Sequence, residues 1–151
     1  MIKRERNAFT MIELVFVIVI IGILAAIALP KLAATRDDAR ISTIAHETMT
    51  AAWEVAAYAT AKGSTAGSIS EMSNSAQSLI EHEDASESGI TLKVTAIDVA
   101  DCVEITIENQ GANTETLKIE FVSSGGNCDT LQSLIDASVF PMPLHGTLIS
   151  Y

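Results

Sequence analysis

Ala8-Phe9-Thr10-Met11-Ile12-Glu13-Leu14-Val15-Phe16-Val17-Ile18-Val19-Ile20-Ile21-Gly22-Ile23-Leu24-Ala25-Ala26-Ile27-Ala28-Leu29-Pro30 is the stretch on which the reading of this chain turns. From Met11 to Leu29 there are 19 residues and one ionisable group, Glu13. A helix of that length measures about 28 Å, close to the ~30 Å hydrocarbon core of a bilayer. The run is rich in Val and Ile, which in water favour strands. In lipid a lone segment must pair its own backbone groups, so the stretch is predicted to be a membrane-spanning helix. The carboxylate is the anomaly. A charge at the centre of such a helix costs roughly 2.5–3.5 kcal/mol, and intramembrane acids have partners. Glu13 lies near one end, where the cost is lower, and it still needs one.

Upstream lie Lys3, Arg4 and Arg6, then Asn7 and Ala8. A cut between Ala8 and Phe9 would leave the Phe9 amine four residues before Glu13, on one helix face. A short basic leader, a small residue, Phe9-Thr10-x-x-Glu13 and an unbroken apolar run closing in Ile21-Gly22-Ile23-Leu24-Ala25-Ala26-Ile27-Ala28-Leu29-Pro30 resemble the N-terminus of type IV pilins and type II secretion pseudopilins. The resemblance covers about the first 40 residues. It implies that a prepilin peptidase removes residues 1–8 on the cytoplasmic side and methylates Phe9, and that Glu13 meets a neighbouring subunit's N-terminus. It also implies a structural subunit rather than an enzyme. Such a subunit is held in the bacterial inner membrane with its head outside the cytoplasm, and it polymerises with itself and other pilin-like chains. Assembly is driven by a separate ATPase and membrane platform, since this chain has no phosphate-binding loop. The family's usual residue before the cut is Gly; here it is Ala8, the next smallest.

A second reading is a secreted or membrane-tethered acidic binding module. Ala26-Ile27-Ala28 fits an ordinary signal-peptidase site, with a mature start at Leu29. Glu13 and the length of the apolar run both fit poorly with a signal peptide.

The 151 residues carry a formal charge of −10. The leader's three cations against Glu5 give it +2, so the mature side chains would sum to −12. From Glu71 onward there are 13 acids against Lys93 and Lys118. A surface this acidic argues against nucleic acid, which needs Lys and Arg to neutralise phosphates. Lys3, Arg4 and Arg6 before the span are matched by Lys31, Arg36 and Arg40 after it, so charge alone does not set topology. Orientation rests on the resemblance. Cys102 and Cys128 in an extracytoplasmic head read most simply as one disulfide, the other reading being two buried thiols. A bridge inclines the resemblance toward a pilus subunit.

Beyond Pro30, where a kink rather than a stop is expected, Ile41, Ile44, Met49, Ala52, Val55 and Ala59 form an apolar stripe. One helix is predicted from about Phe9 to Lys62, its residues 30–62 backing the head and Gly63 ending it. Ser68-Ile69-Ser70-Glu71 has the pattern of a helix start, and that helix should reach about Glu83. Asp84–Gly89 reads as a polar loop. Period-two alternation marks strands at Ile90–Ala96, Val103–Glu108 and Leu117–Phe121, the last two joined across Gly111. Thr130–Ala137 is weakly helical, Pro141 and Pro143 enforce extension, and Thr147–Tyr151 reads as a last strand. The expected fold is α+β and pilin-like: a long N-terminal helix packed on a small antiparallel sheet, with residues 63–151 as the acidic head.

Little in the head signals chemistry. His46-Glu47-x-x-Thr50 lacks the second His of a zinc helix. Glu81, His82, Glu83, Asp84 and Glu87 read as a charged loop. No cofactor or metal site is expected. Calcium, used by some relatives in the head, finds no defined ligand spacing in the loop residues Asp98, Asp101 and Asp129. His145 reads as a turn residue rather than a catalytic base.

Overall fold

The computed structural model describes residues 9–110 and 114–145. The leader with Ala8, the tip of the loop around Gly111 and the expected strand at Thr147–Tyr151 lie outside those bounds. The chain separates into two compact units, one ending at Asp38 and the other beginning at Ala39.

Helix α1, Met11–Lys62, runs without interruption through Pro30. In the first unit its apolar side chains are exposed, Ile12 to 77% and Ile27 to 70%. This is the one helix among the described residues long and apolar enough to cross a membrane. Among the described residues nothing covers these side chains, so the hydrophobic effect that would bury them has lipid or another molecule to act against.

In the second unit α1 shows a one-sided pattern. Ile41, Ile44, Thr48, Ala52, Val55 and Ala59 are buried, at the three-to-four spacing of a single helix face. Thr48 spends its hydroxyl on the Ile44 carbonyl at 2.7 Å, so it enters the core without an orphaned donor. Gly63, at φ +72°, closes the last turn with its amide on the Ala59 carbonyl.

Five antiparallel strands follow in the order β1-β2-β3-β4-β5. They are β1 Ala85–Ser88, β2 Thr91–Ala96, β3 Val99–Glu108, β4 Thr116–Phe121 and β5 Met142–Pro143. Leu92 faces Ile105, which faces Ile119, and Ile107 faces Leu117, which faces Met142. These rows and the apolar residues of the α1 stripe form one cluster of buried side chains, with the partly buried Met142 packed against it. The alternate residues form the outer face. There Lys118 lies between Glu120 at 2.8 Å and Glu108 at 3.3 Å, and these hydrogen bonds raise its pKa.

The structure corrects several expectations. Asp84–Gly89 is not a loop: Ala85–Ser88 is an edge strand, held to β2 by backbone pairing that needs no apolar side chain. Its two-residue turn places Gly89 at φ +61°. Strand β3 starts at Val99, four residues early, so Asp101 lies within a strand. A register shift against β2 and a left-handed Asp101 (φ +53°) accommodate the extra length. Phe121 ends β4 and is 46% exposed rather than buried. Helix α3 spans Asn127–Leu134, not Thr130–Ala137, so Cys128 lies in its first turn.

Helix α2, Asn74–Glu81, begins five residues after the expected start. Ser68 makes only a local turn, its hydroxyl accepting from the Glu71 amide at 3.4 Å. The cap is Ser73, whose hydroxyl accepts from the Ala76 amide. Glu54, reaching over from α1, takes the Ser73 hydroxyl at 2.6 Å and the Ser75 amide at 3.0 Å. Partial burial pushes the Glu54 carboxyl up. The Ser73 hydroxyl and the Ser75 and Asn74 amides outweigh it, and the pKa is lowered from the ordinary 4.5. A carboxyl whose folded pKa is depressed stabilises the fold above its unfolded value, and that contribution fades as pH falls through the folded one. Unfolding stability should therefore drop below about pH 4.5. In Glu54→Gln this part of the acid limb should flatten, as measured by urea unfolding across pH 3–6; an unchanged limb would refute the assignment.

Candidate assembly site at the N-terminal helix

The helix start explains where Glu13 goes. Thr10 is the cap, one residue before α1, and Glu13 is the third helical residue. The Glu13 amide donates to the Thr10 hydroxyl oxygen at 3.3 Å. Glu13 Oε2 in turn accepts from the Thr10 amide and the Thr10 hydroxyl, both at 2.8 Å. This reciprocal pair is a capping box, in which two amides lacking intrahelical partners are satisfied at once. The carboxylate also lies at the positive end of the helix dipole. Phe9 precedes the cap, outside the helix, and is 85% exposed.

One carboxylate oxygen is thus engaged locally. Oε1 has no partner among the described residues. Phe9, Ile12, Glu13, Phe16 and Val17 line a shallow groove of about 330 Å³ on one side of the helix. The arrangement is a half-satisfied carboxylate beside an uncovered apolar groove, at the mouth of an uncovered apolar helix. It suits non-covalent assembly in a dry environment.

A family model described as the prokaryotic N-terminal methylation motif matches residues 3–29. The N-terminus of this chain is a prepilin-type motif. The α+β fold behind the motif, a long N-terminal helix and a five-stranded antiparallel sheet, is consistent with a pilin-like one. Among curated proteins and among solved structures, no match to the chain was found. The prepilin-type motif implies processing by a prepilin peptidase. Ala8, the expected cleavage position, lies outside the described residues, whereas Phe9, the expected methylation position, sits at the start of the capped helix. The sequence reading gave Glu13 an intermolecular partner and overlooked its local one, although Thr-x-x-Glu is itself a legible signal.

In the head, Cys102 and Cys128 are disulfide-bonded, with their Cα atoms 5.5 Å apart. The acidic groups singled out in the sequence are dispersed onto separate partners. Asp84 pairs with Arg40 at 2.6 Å, Glu87 accepts from Ser70, and Glu81 accepts from Gln77. Asp98 accepts from Asn127, Asp129 from the Gly125 amide, and Asp101 faces Lys93 at 3.7 Å. Among the described residues no three His, Cys, Asp or Glu gather to hold a metal.

His145 does more than turn the chain. Its Nε2 lies 2.8 Å from Oε2 of Glu115, whose side chain is 3% exposed, and Thr65 donates to the other oxygen at 3.1 Å. With the Leu144 amide on the Glu115 carbonyl, these bonds tie the end of the described chain to β4 and to the turn after α1. In His145→Ala the buried Glu115 carboxylate loses one of its hydrogen bonds. The head should be destabilised by about 1–3 kcal/mol in urea unfolding, and His145→Gln should recover part of this.

Proposed function

We propose that this protein is a structural subunit of a type IV pilus-like filament, pilin or pseudopilin. A prepilin peptidase cuts after Ala8 and Phe9 is methylated. The apolar half of α1 holds the subunit in the inner membrane until it is drawn, by an assembly ATPase and its membrane platform, into a polymer of like chains. The carrying observation is Glu13: one acid at the head of an otherwise apolar span that the described residues leave uncovered, with one oxygen capped and the other unpaired among the described residues. A neighbour's Phe9 amine, which exists only after the cut, is the partner that would complete it. A buried charge left unpaired is costly, so pairing both stabilises the contact and sets axial register between helices that could otherwise slide.

The N-terminal residue and mass of the mature protein test this. A chain starting at methylated Phe9 and recovered in sheared filaments supports it. A chain starting at Leu29, soluble and monomeric, would replace it with the secreted acidic module.

A further inference from the structure

The first helical hydrogen bond of α1 runs from the Leu14 amide to the Thr10 carbonyl at 3.2 Å. One residue further back, the ladder would continue with the Glu13 amide on the Phe9 carbonyl. The Thr10 hydroxyl oxygen takes that amide instead, at 3.3 Å. The helix therefore starts at Met11, and Phe9 lies outside it, 85% exposed. The captured amide is main-chain, so residue 10 rather than the side chain of residue 13 sets this stop.

A stop matters at this place. Lys3, Arg4, Glu5, Arg6 and Ala8 are all strong helix formers, with only Asn7 against them. The leader's composition thus favours a helix running back across the expected cut. In such a helix the Ala8 carbonyl would accept from the Ile12 amide, and the Phe9 amide would donate to the Glu5 carbonyl. Both main-chain groups of the bond to be broken would then be occupied. Hydrolysis breaks the bond between the Ala8 carbonyl carbon and the Phe9 nitrogen; water gives its hydroxyl to Ala8 and a proton to the new Phe9 amine. A peptidase must reach that carbonyl and polarise its oxygen, and an intrahelical hydrogen bond competes for the same oxygen. Cleavage of a segment that opens and closes rapidly follows the population of its open form.

We infer that Thr10 is a positioning residue for removal of the leader: its hydroxyl stops the helix at Met11 and so keeps the Ala8–Phe9 bond free for the peptidase. Thr10 acts through the backbone and need not touch the enzyme. The inference rests on the processing step of the filament reading and adds a residue to that step.

The test uses the full-length precursor in detergent with purified prepilin peptidase, cleavage being followed by the loss of leader mass. Thr10→Val has the same shape without the hydroxyl and should lower kcat/KM several-fold, since Val is a poor cap. Thr10→Ser, which restores the hydroxyl, should be cut at close to the wild-type rate. In isotope-labelled Thr10→Val the Phe9 Cα chemical shift should move to a helical value; in wild type it should be non-helical. Glu5→Gly, which weakens a helix in the leader, should return Thr10→Val to near the wild-type rate and leave the wild-type rate unchanged. Slow cleavage of Thr10→Val with an unchanged Phe9 shift, or without rescue by Glu5→Gly, would make Thr10 a residue read directly by the enzyme and overturn the inference. Thr10→Val cut as fast as wild type would overturn it too. These outcomes leave the filament reading standing, whereas a wild-type chain that is never cut before Phe9 would remove both.

Discussion

Glu13→Ala should be cleaved and inserted like wild type, yet be recovered as membrane-bound monomer and be absent from sheared filaments. The substitution makes the span more apolar, so insertion gains. On the filament reading, what it removes is the charge proposed to pair with a neighbour's Phe9 amine. It also removes half of the Thr10–Glu13 capping box, which is worth about 1 kcal/mol at a helix start. These two losses are separable. Glu13→Gln keeps an oxygen for the Thr10 amide and hydroxyl but carries no charge, and it should fail to assemble as Glu13→Ala does. Thr10→Ala keeps the charge, loses the hydroxyl and should assemble at a reduced level. Glu13→Asp, one methylene shorter, should be partly competent. If Thr10→Ala were as defective as Glu13→Ala while Glu13→Gln assembled normally, the carboxylate would be a helix cap and nothing more. Immunoblots of the membrane and sheared fractions read all four variants.

The second large effect is expected at the disulfide. Cys102 on β3 and Cys128 in the first turn of α3 are both fully buried, 26 residues apart. On the chain-entropy model, a loop of that size restricts the unfolded chain by about 3–4 kcal/mol. Around the bridge, Gln132 donates to the Cys102 and Ser123 carbonyls at 3.0 and 2.6 Å. Those bonds hold α3 against the sheet only while its N-terminus stays in place. Replacing both cysteines with Ala should lower the unfolding free energy by about 3–4 kcal/mol. Reductant should do the same to wild type and nothing to the double variant. Urea midpoints with and without dithiothreitol decide it, and a wild-type midpoint indifferent to reductant would sink the assignment.

How much of this was written in the sequence depends on the range over which each signal acts. The span, the α1 stripe and the inner faces of β2, β3 and β4 were legible because apolar periodicity is local. Thr10-x-x-Glu13 was equally local and was passed over in favour of a distant partner. The start of α2 was not legible. Ser68-x-x-Glu71 has the right spacing, but Ser73 wins because Glu54, 19 residues earlier, completes its cap. Strand β1, Ala-Ser-Glu-Ser, has no apolar alternation, since an edge strand is held by its backbone. The Glu115–His145 contact joins residues 30 apart, so no spacing rule could point to it.

On the filament reading, the two margins of the sheet formed by the described residues carry a consequence for heads that stand among many copies of themselves. One margin is a four-residue polar strand, the other a two-residue strand with Pro143. A long open margin offers a row of bare amides and carbonyls on which another copy's strand can be templated, and short or proline-bearing margins do not. Heads held side by side along a polymer would meet at very high local concentration, where templated strand exchange would fuse them into amyloid-like tangles. In the proposed filament, blunted margins would leave the helix as the route by which copies join, and crowding would yield an ordered fibre rather than a precipitate.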